Sequence, residues 1–437
     1  MRSTVLLAAW RSLAPRLRSS LLANRPFRCL LLVQVVFGVC FGAFFILPKH
    51  MVTRLGASPP QLGVTMAAFA LGAVLAARFI RPLTRRLGPG ICLALGAATM
   101  AVGSFLFLGV HSPGGLAIVA RAAQGAASIM VFSIGGAVAA DLTPPERRSE
   151  ALALFVTAGS LANTFVPAVA EHLIEIVGPG LVFGAAGVAA LASLIPCRQL
   201  IRAAPHLAGL QPARDLTTSL QPQRLPRPAP AITGLLCIAI VFGLASGVMF
   251  TYYQPFAYAV GIRRVADFII AFTLTVCLLR LAVGGLIDRV GSLQVARWSF
   301  VAYAAALASM VWLRPGRLAL FGVLIGVFHG AFFPSLMTLV IDSGGHRGSR
   351  AAWMNASMNV GGLGVAAIGP WAARFGYPSA FLGVAAVVAV SAALLWSKQS
   401  APMTTERLSF QTHRFIYAVA PTTRRTVDEQ AELEAGN

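Results

Sequence analysis

Arg121 and Gln124 stand one helical turn apart in an otherwise apolar stretch, and Asn355 and Asn359 share a face of another by their i,i+4 spacing. A guanidinium in that setting presents a fork of donors to a carboxylate or another polar group. His329 falls near the middle of its apolar stretch and Asn163 near the middle of its own, and an imidazole at such depth can carry a proton. Gln34, Tyr252, Tyr253 and Arg280 complete the polar set. Gln34, Asn355 and Asn359 also suit interhelical hydrogen bonds worth about 0.6 kcal/mol each, and Arg280 can snorkel or organise the loop that holds Asp288. No Asp or Glu lies deep in any stretch: Asp141, Asp288 and Asp342 sit at one end, Glu171, Glu175 and Asp267 toward the other. A cation would find no counter-ion at mid-depth, so a neutral polar or anionic ligand fits better. The same pattern leaves no titratable carboxylate at mid-depth.

The stretches that must position these side chains are hydrophobic helices. Of 437 residues, 57% are hydrophobic and 11% charged, with a mean hydropathy of +0.76, a balance that a water-soluble fold cannot carry. Segments able to cross about 30 Å of hydrocarbon are expected at 28–48, 61–80, 91–110, 116–140, 150–172 and 180–197. A second six follow at 232–254, 267–287, 294–313, 318–341, 351–373 and 379–397. Val35-Val36-Phe37-Gly38 recurs as Ile240-Val241-Phe242-Gly243, and the register continues through Gly42/Gly247, Phe45/Phe250 and Gly56/Gly261. The chain reads as an all-α membrane protein of twelve transmembrane helices, arranged as two pseudo-symmetric six-helix bundles. Residues 1–26 form an Arg-rich N-terminal segment, 27–197 the first bundle, 198–231 a Pro-, Gln- and Arg-rich linker, 232–397 the second bundle and 398–437 a tail. Duplicated halves of this kind place a substrate site at their interface, near the bilayer midplane.

Charge sets the expected orientation. Most of the 35 Lys and Arg residues fall in loops on the side of the N-terminus, while the opposite loops hold Lys49, Arg54, Arg263, Arg264, Arg314, Arg317 and Arg374. By the positive-inside rule both termini are then cytoplasmic. The formal net charge of +21 follows from that bias and from attraction to anionic headgroups of the lipid bilayer, with no need for a nucleic-acid partner. The six cysteines are scattered singly, so neither a disulfide framework nor a metal site is indicated. H-E-x-x-H and G-x-S-x-G are both missing, which leaves no basis for an enzyme or a cofactor.

Gly284-Gly285-Leu286-Ile287-Asp288-Arg289-Val290-Gly291 resembles the G-x-x-x-D-R-x-G loop of the major facilitator superfamily. Its N-terminal counterpart, Arg81-Pro82-Leu83-Thr84-Arg85-Arg86-Leu87-Gly88, departs from that pattern with Arg81 for Gly and Arg85 for Asp. Arg121-Ala122-Ala123-Gln124-Gly125 resembles the R-x-x-Q-G element, whose arginine the resemblance associates with proton coupling. Gly369-Pro370 keeps the Gly-Pro pair of drug/proton antiporters, whereas Val166-Pro167 does not, and Gly330-Ala331-Phe332-Phe333-Pro334 looks like bacterial sugar-efflux permeases.

The resemblance implies a secondary active transporter of small organic molecules that works by alternating access in a bacterial inner (plasma) membrane. Proton-coupled efflux is the favoured direction, and a monomer suffices because one chain holds both halves. Proton-coupled uptake of an organic anion competes with it, as does a non-transporting sensor or scaffold. Gating pairs are expected where Asp141 precedes Arg147 and Arg148, and where Asp342 precedes Arg347 and Arg350. Asp288 should meet Arg347 or Arg350, and Arg85 should meet Asp141, Glu146 or Glu150.

Overall fold

The computed structural model describes residues 21–144, 147–207, 230–343 and 347–396, except for the side chains of 149, 230–231, 280–289 and 347–349. Its first half contains α1 Arg25–Ala43, α2 Leu47–Thr53, α3 Pro59–Leu87, α4 Pro89–Leu106, α5 Gly115–Asp141, α6 Arg148–Val177, α7 Pro179–Ala192 and α8 Leu194–Ala203. The second half contains α9 Pro230–Ala259, α10 Ala266–Val290, α11 Ser292–Ala308, α12 Leu318–Asp342, α13 Arg347–Leu363 and α14 Val365–Trp396. Among the described residues there is no strand. Proline at the first or second helical position starts α1, α3, α4 and α7, where its missing N–H costs nothing.

Among the described residues, ten helical stretches are long and apolar enough to cross a membrane. One of them, Arg350–Trp396, runs for 47 residues but bends at Gly376, whose φ of 82° is not helical. The apolar part of α10, Ala266–Leu279, is shorter. Many large apolar side chains remain outside, among them Val390, Leu278, Leu181 and Ile195 at 75%, 68%, 67% and 63% exposure. Such a surface would drive aggregation in water and is matched to lipid.

The repeat seen in the sequence recurs in the backbone. Glycines with positive φ occupy corresponding corners: Gly56 and Gly261, Gly88 and Gly291, Gly178 and Gly376. Packing repeats as well, for α1 lies on α6 as α9 lies on α13, and α3 on α5 as α10 on α12. The halves touch through α3 against α13 and α14, and through α6 against α10.

One close approach fixes the helix that carries Arg121. A Cβ on Gly72 of α3 would strike the carbonyl oxygen of Ala122, and a Cβ on Gly125 of α5 would strike that of Phe69. The two helices therefore meet backbone to backbone, which is how small residues drive association in lipid. Gly125→Ala should lower the thermal midpoint of the detergent-purified protein, at an overpacking cost of about 1–3 kcal/mol. Gly136→Ala, whose Cβ would meet Leu152 at an ordinary 3.8 Å, should leave it unchanged or slightly raised. Equal midpoints for the two variants would contradict the close approach.

Candidate functional site

Between the halves lies a cavity of about 340 Å³, walled by aromatic and apolar side chains that include Phe41, Phe45, Met66, Phe69, Phe250 and Met358. Its polar groups are Arg121 from α5, Ser246 and Thr251 from α9, and Asn355 and Asn359 from α13. The Arg121 side chain follows from the local packing of α5 on α3. With α3 pressed against Gly125, the Phe69 ring lies under the guanidinium, its centroid 4.8 Å from Cζ. One helical turn along, Gln124 Oε1 accepts from Arg121 Nη1 at 2.7 Å. Arg121 is 7% exposed, its Nε has no hydrogen-bond partner, and among the described residues no acid pairs with it. Asn359 donates from Nδ2 to the carbonyl oxygen of Asn355 at 2.9 Å. The cavity thus offers one uncompensated positive charge and a few neutral donors and acceptors in an apolar shell. An anion or a polar neutral molecule meets that description; a cation does not. Among the described residues no three His, Cys, Asp or Glu side chains gather as a metal site.

At one end, here the distal end, the cavity is closed by contacts between the halves. Lys49 and Gln254 are 205 residues apart, the same offset that relates Val35 to Ile240. They hydrogen-bond through Lys49 N and Gln254 Oε1 at 3.0 Å, while Gln254 Nε2 donates to the Phe45 carbonyl. Phe45 and Phe250, also equivalent, meet with ring centroids 5.8 Å apart. Equivalent residues can touch only on the axis that relates the repeats. Beside that axis, Lys49 Nζ donates to Glu171 Oε1 and to the Arg263 carbonyl, each at 2.6 Å. Glu171 also accepts from the backbone N–H groups of Val265 at 2.8 Å and Ala266 at 2.7 Å. A carboxylate from α6 thereby caps the N-terminus of α10, where the unpaired N–H groups and the helix dipole both favour negative charge. Tyr252 adds its hydroxyl, whose single proton has two acceptors in reach, the carbonyls of Val365 at 3.2 Å and Pro59 at 3.3 Å.

The sequence signature of the Major Facilitator Superfamily matches residues 29–317 and 259–420. The chain belongs to the Major Facilitator Superfamily. Solved structures with the same facilitator fold include the nucleoside transporter NupG, with 14% identity, a TM-score of 0.66, and coverage of 85% of this chain and 99% of that one. A POT family transporter in complex with a thioalcohol-conjugated peptide has 12% identity and a TM-score of 0.72, covering 85% and 96%. The human organic anion transporter MFSD10 (TETRAN) has 16% identity and a TM-score of 0.61, covering 85% and 99%. No curated protein sequence matches the chain.

Within this facilitator, the polar residues singled out in the sequence divide into groups. Arg121, Asn355 and Asn359 line the cavity, and Gln124 braces Arg121 from behind, 1% exposed. Tyr252 and Tyr253 are distal instead: Tyr253 stacks on Phe268 at 4.3 Å, and its hydroxyl accepts from Gln254 Nε2 at 3.1 Å. His329 sits inside the second half among Phe242, Phe272 and Tyr303, with centroids 4.7, 5.1 and 5.8 Å away. Gln34 is fully buried against Gly159 of α6, and Asn163 lies one turn further along the same helix, near Gly42. Thus hydropathy placed these residues in spans but could not say which way each faced.

The opposite-end loops are described in part. Arg280, Gly284, Asp288 and Arg289 fall where side chains are outside the described residues, as does the side chain of Arg347, so the expected pairing of Asp288 lies outside them too. Gly291 turns the chain with φ 90°; Asp342 ends α12 and Arg350 lies in the first turn of α13. Arg85 does not pair with Asp141 or Glu150. Asp141 faces His206, which follows the last helix of the first half, at 3.5 Å, and Glu150 binds Arg147 three residues away at 2.9 Å; Glu146 is outside the described residues.

The residues missed in the sequence are Lys49, Glu171 and Gln254. Their role predicts an asymmetry: Glu171→Gln should open the distal end by leaving Lys49 short of its carboxylate, a change worth about 3 kcal/mol for a largely buried pair. The charge swap Lys49→Glu with Glu171→Lys should fail to restore closure, since a lysine cannot accept from Val265 and Ala266. Double electron–electron resonance between spin labels at Thr53 and Ile262 reads both. Full recovery in the swap would mean that Glu171 acts through Lys49 alone.

Proposed function

We propose that this facilitator is a secondary active transporter that moves a small organic molecule, neutral polar or anionic, by alternating access. The observation that carries the proposal is Arg121: a guanidinium without a carboxylate partner, facing a molecule-sized cavity between two halves that are sealed at the distal end. Holding a charge in the bilayer interior costs about 3 kcal/mol or more, and a bound anion offsets part of that cost. The names of the structural neighbours, which refer to nucleosides, peptides and organic anions, support a substrate of that size.

In this proposal twelve spans form two six-helix bundles, residues 27–197 and 232–397, that rock about the axis marked by Phe45 and Phe250. The repeated glycine corners and the repeated helix pairings support that division. With both termini cytoplasmic in a bacterial inner membrane, the distal end faces outward, and the described conformation is closed to the outside. Proton-coupled efflux is the direction suggested by the family resemblance, with His329 as the candidate proton carrier. Uptake of an organic anion by proton symport is the second reading, favoured by the positive cavity and by its lack of a carboxylate.

Reconstitution into proteoliposomes with an internal pH-sensitive dye tests the proposal against organic acids, nucleosides, peptides, sugars and drugs. A substrate-driven proton flux is expected, falling at least about tenfold in Arg121→Ala, the equivalent of ~1.4 kcal/mol. Arg121→Lys, which keeps the charge and loses the fork, should lie between. Vesicle sidedness separates efflux from uptake. Silence with every compound in both flux and uptake assays would favour a sensor or scaffold, and flux indifferent to Arg121→Ala would remove the cavity as the substrate site.

A further inference from the structure

A second cavity, of about 440 Å³, lies at the distal seam, with Lys49 and Glu171 in its wall. Its cations come from both halves: Lys49 in the first turn of α2, Arg54 just past its C-terminus, and Arg263 and Arg264 from the loop that leads into α10. Two acids share it. Glu171 is already saturated by Lys49 and by two backbone N–H groups, and Glu175 lies 3.5 Å from Lys49 with its side chain 60% exposed. Among the described residues, Arg54, Arg263 and Arg264 form no ion pair. His50 also lines this space; it is only 6% exposed, its Nδ1 has no hydrogen-bond partner, and its ring rests edge-on against Phe183 at 5.4 Å.

We infer that this vestibule is an anion-binding site, separate from the Arg121 cavity, that takes a small oxyanion between Arg54 of the first half and Arg263 and Arg264 of the second. Guanidinium forks match the oxygen pairs of carboxylate, sulfate and phosphate, which a spherical halide cannot engage in the same way. Lys49 is committed to Glu171 and the Arg263 carbonyl, so the three arginines hold the charge left for a ligand, and His50 gives the inner wall a further polar group. An anion bound there ties the halves together across the seam. It therefore binds the distally closed state more tightly than the open one and shifts the population toward closure. The ligand is either a free anion from the adjoining medium or the acidic end of a transported molecule, since both present the same oxygen atoms.

The test uses the full chain in lipid nanodiscs, with inorganic sulfate as the probe and chloride at matched ionic strength as the reference. Sulfate should raise the thermal midpoint saturably, and should narrow the distance distribution between spin labels at Thr53 and Ile262. Both effects should weaken at least about tenfold in apparent affinity in Arg54→Ala and in the double variant Arg263→Ala with Arg264→Ala. Arg121→Ala should retain them, which separates this site from the central one: loss of transport in that variant with sulfate binding intact leaves the vestibule standing whatever becomes of the transport proposal. A monocarboxylate added with sulfate competes if the site also takes the acidic end of an organic molecule, and fails to compete if it selects the inorganic dianion. Retention of the sulfate effect in either arginine variant, or its reproduction by chloride, would overturn the inference.

Discussion

A positive charge buried in hydrocarbon without a fixed negative partner is the constraint around which this molecule is organised. Arg121 is tolerated because Gln124 accepts one of its donors, Phe69 lies against its face and the cavity gives it an outlet. The Phe69 contact depends on the packing of α3 against α5, which in turn depends on Gly72 and Gly125 having no side chains. The charge is thus braced and still unsatisfied. Satisfying it with a carboxylate of the chain's own would remove the attraction for a ligand.

A carrier also needs a seam that can part. The distal seam carries polar contacts, Lys49 with Glu171, Glu171 with the start of α10, Gln254 with Phe45, and Tyr252 with Pro59, beside the ring contact of Phe45 with Phe250. Polar contacts can exchange for water when the end opens, so the net difference between closed and open is small even where each bond is strong in place. The seam lies on the axis relating the repeats, where a small rotation of one half separates the contacts on both sides together. An anion in the vestibule would act on the same seam and bias it without entering the central cavity.

Much of this was legible in the sequence, and the boundary of legibility has a physical cause. The repeat of Val35–Gly38 at Ile240–Gly243 and the paired glycines foreshadow equivalent corners, because a positive φ strongly favours glycine. The R-x-x-Q-G spacing anticipates Arg121 beside Gln124, because i,i+3 neighbours share a helix face. What hydropathy cannot supply is azimuth. Tyr252 and Tyr253 lie in the same apolar stretch as Ser246, yet they belong to the seam, and Gln34 and His329 face neighbouring helices away from the lining. The Lys49–Glu171 pair joins residues 122 apart in sequence, and no local pattern marks it; Glu171 could be read only as an acid near the distal end. Asp141 and Glu150 likewise take His206 and Arg147 in place of Arg85, a choice made by geometry that spacing does not encode.

The most direct test is to lock the seam. In a chain with its six native cysteines replaced, Phe45→Cys and Phe250→Cys, at positions whose rings meet across the axis, can be bridged in proteoliposomes by a short bifunctional methanethiosulfonate and the cross-linked fraction measured by mass spectrometry. Alternating access predicts that substrate-driven flux falls in proportion to cross-linking and returns on reduction. Undiminished flux with the cross-link complete would contradict the account, because the distal end would then never need to open.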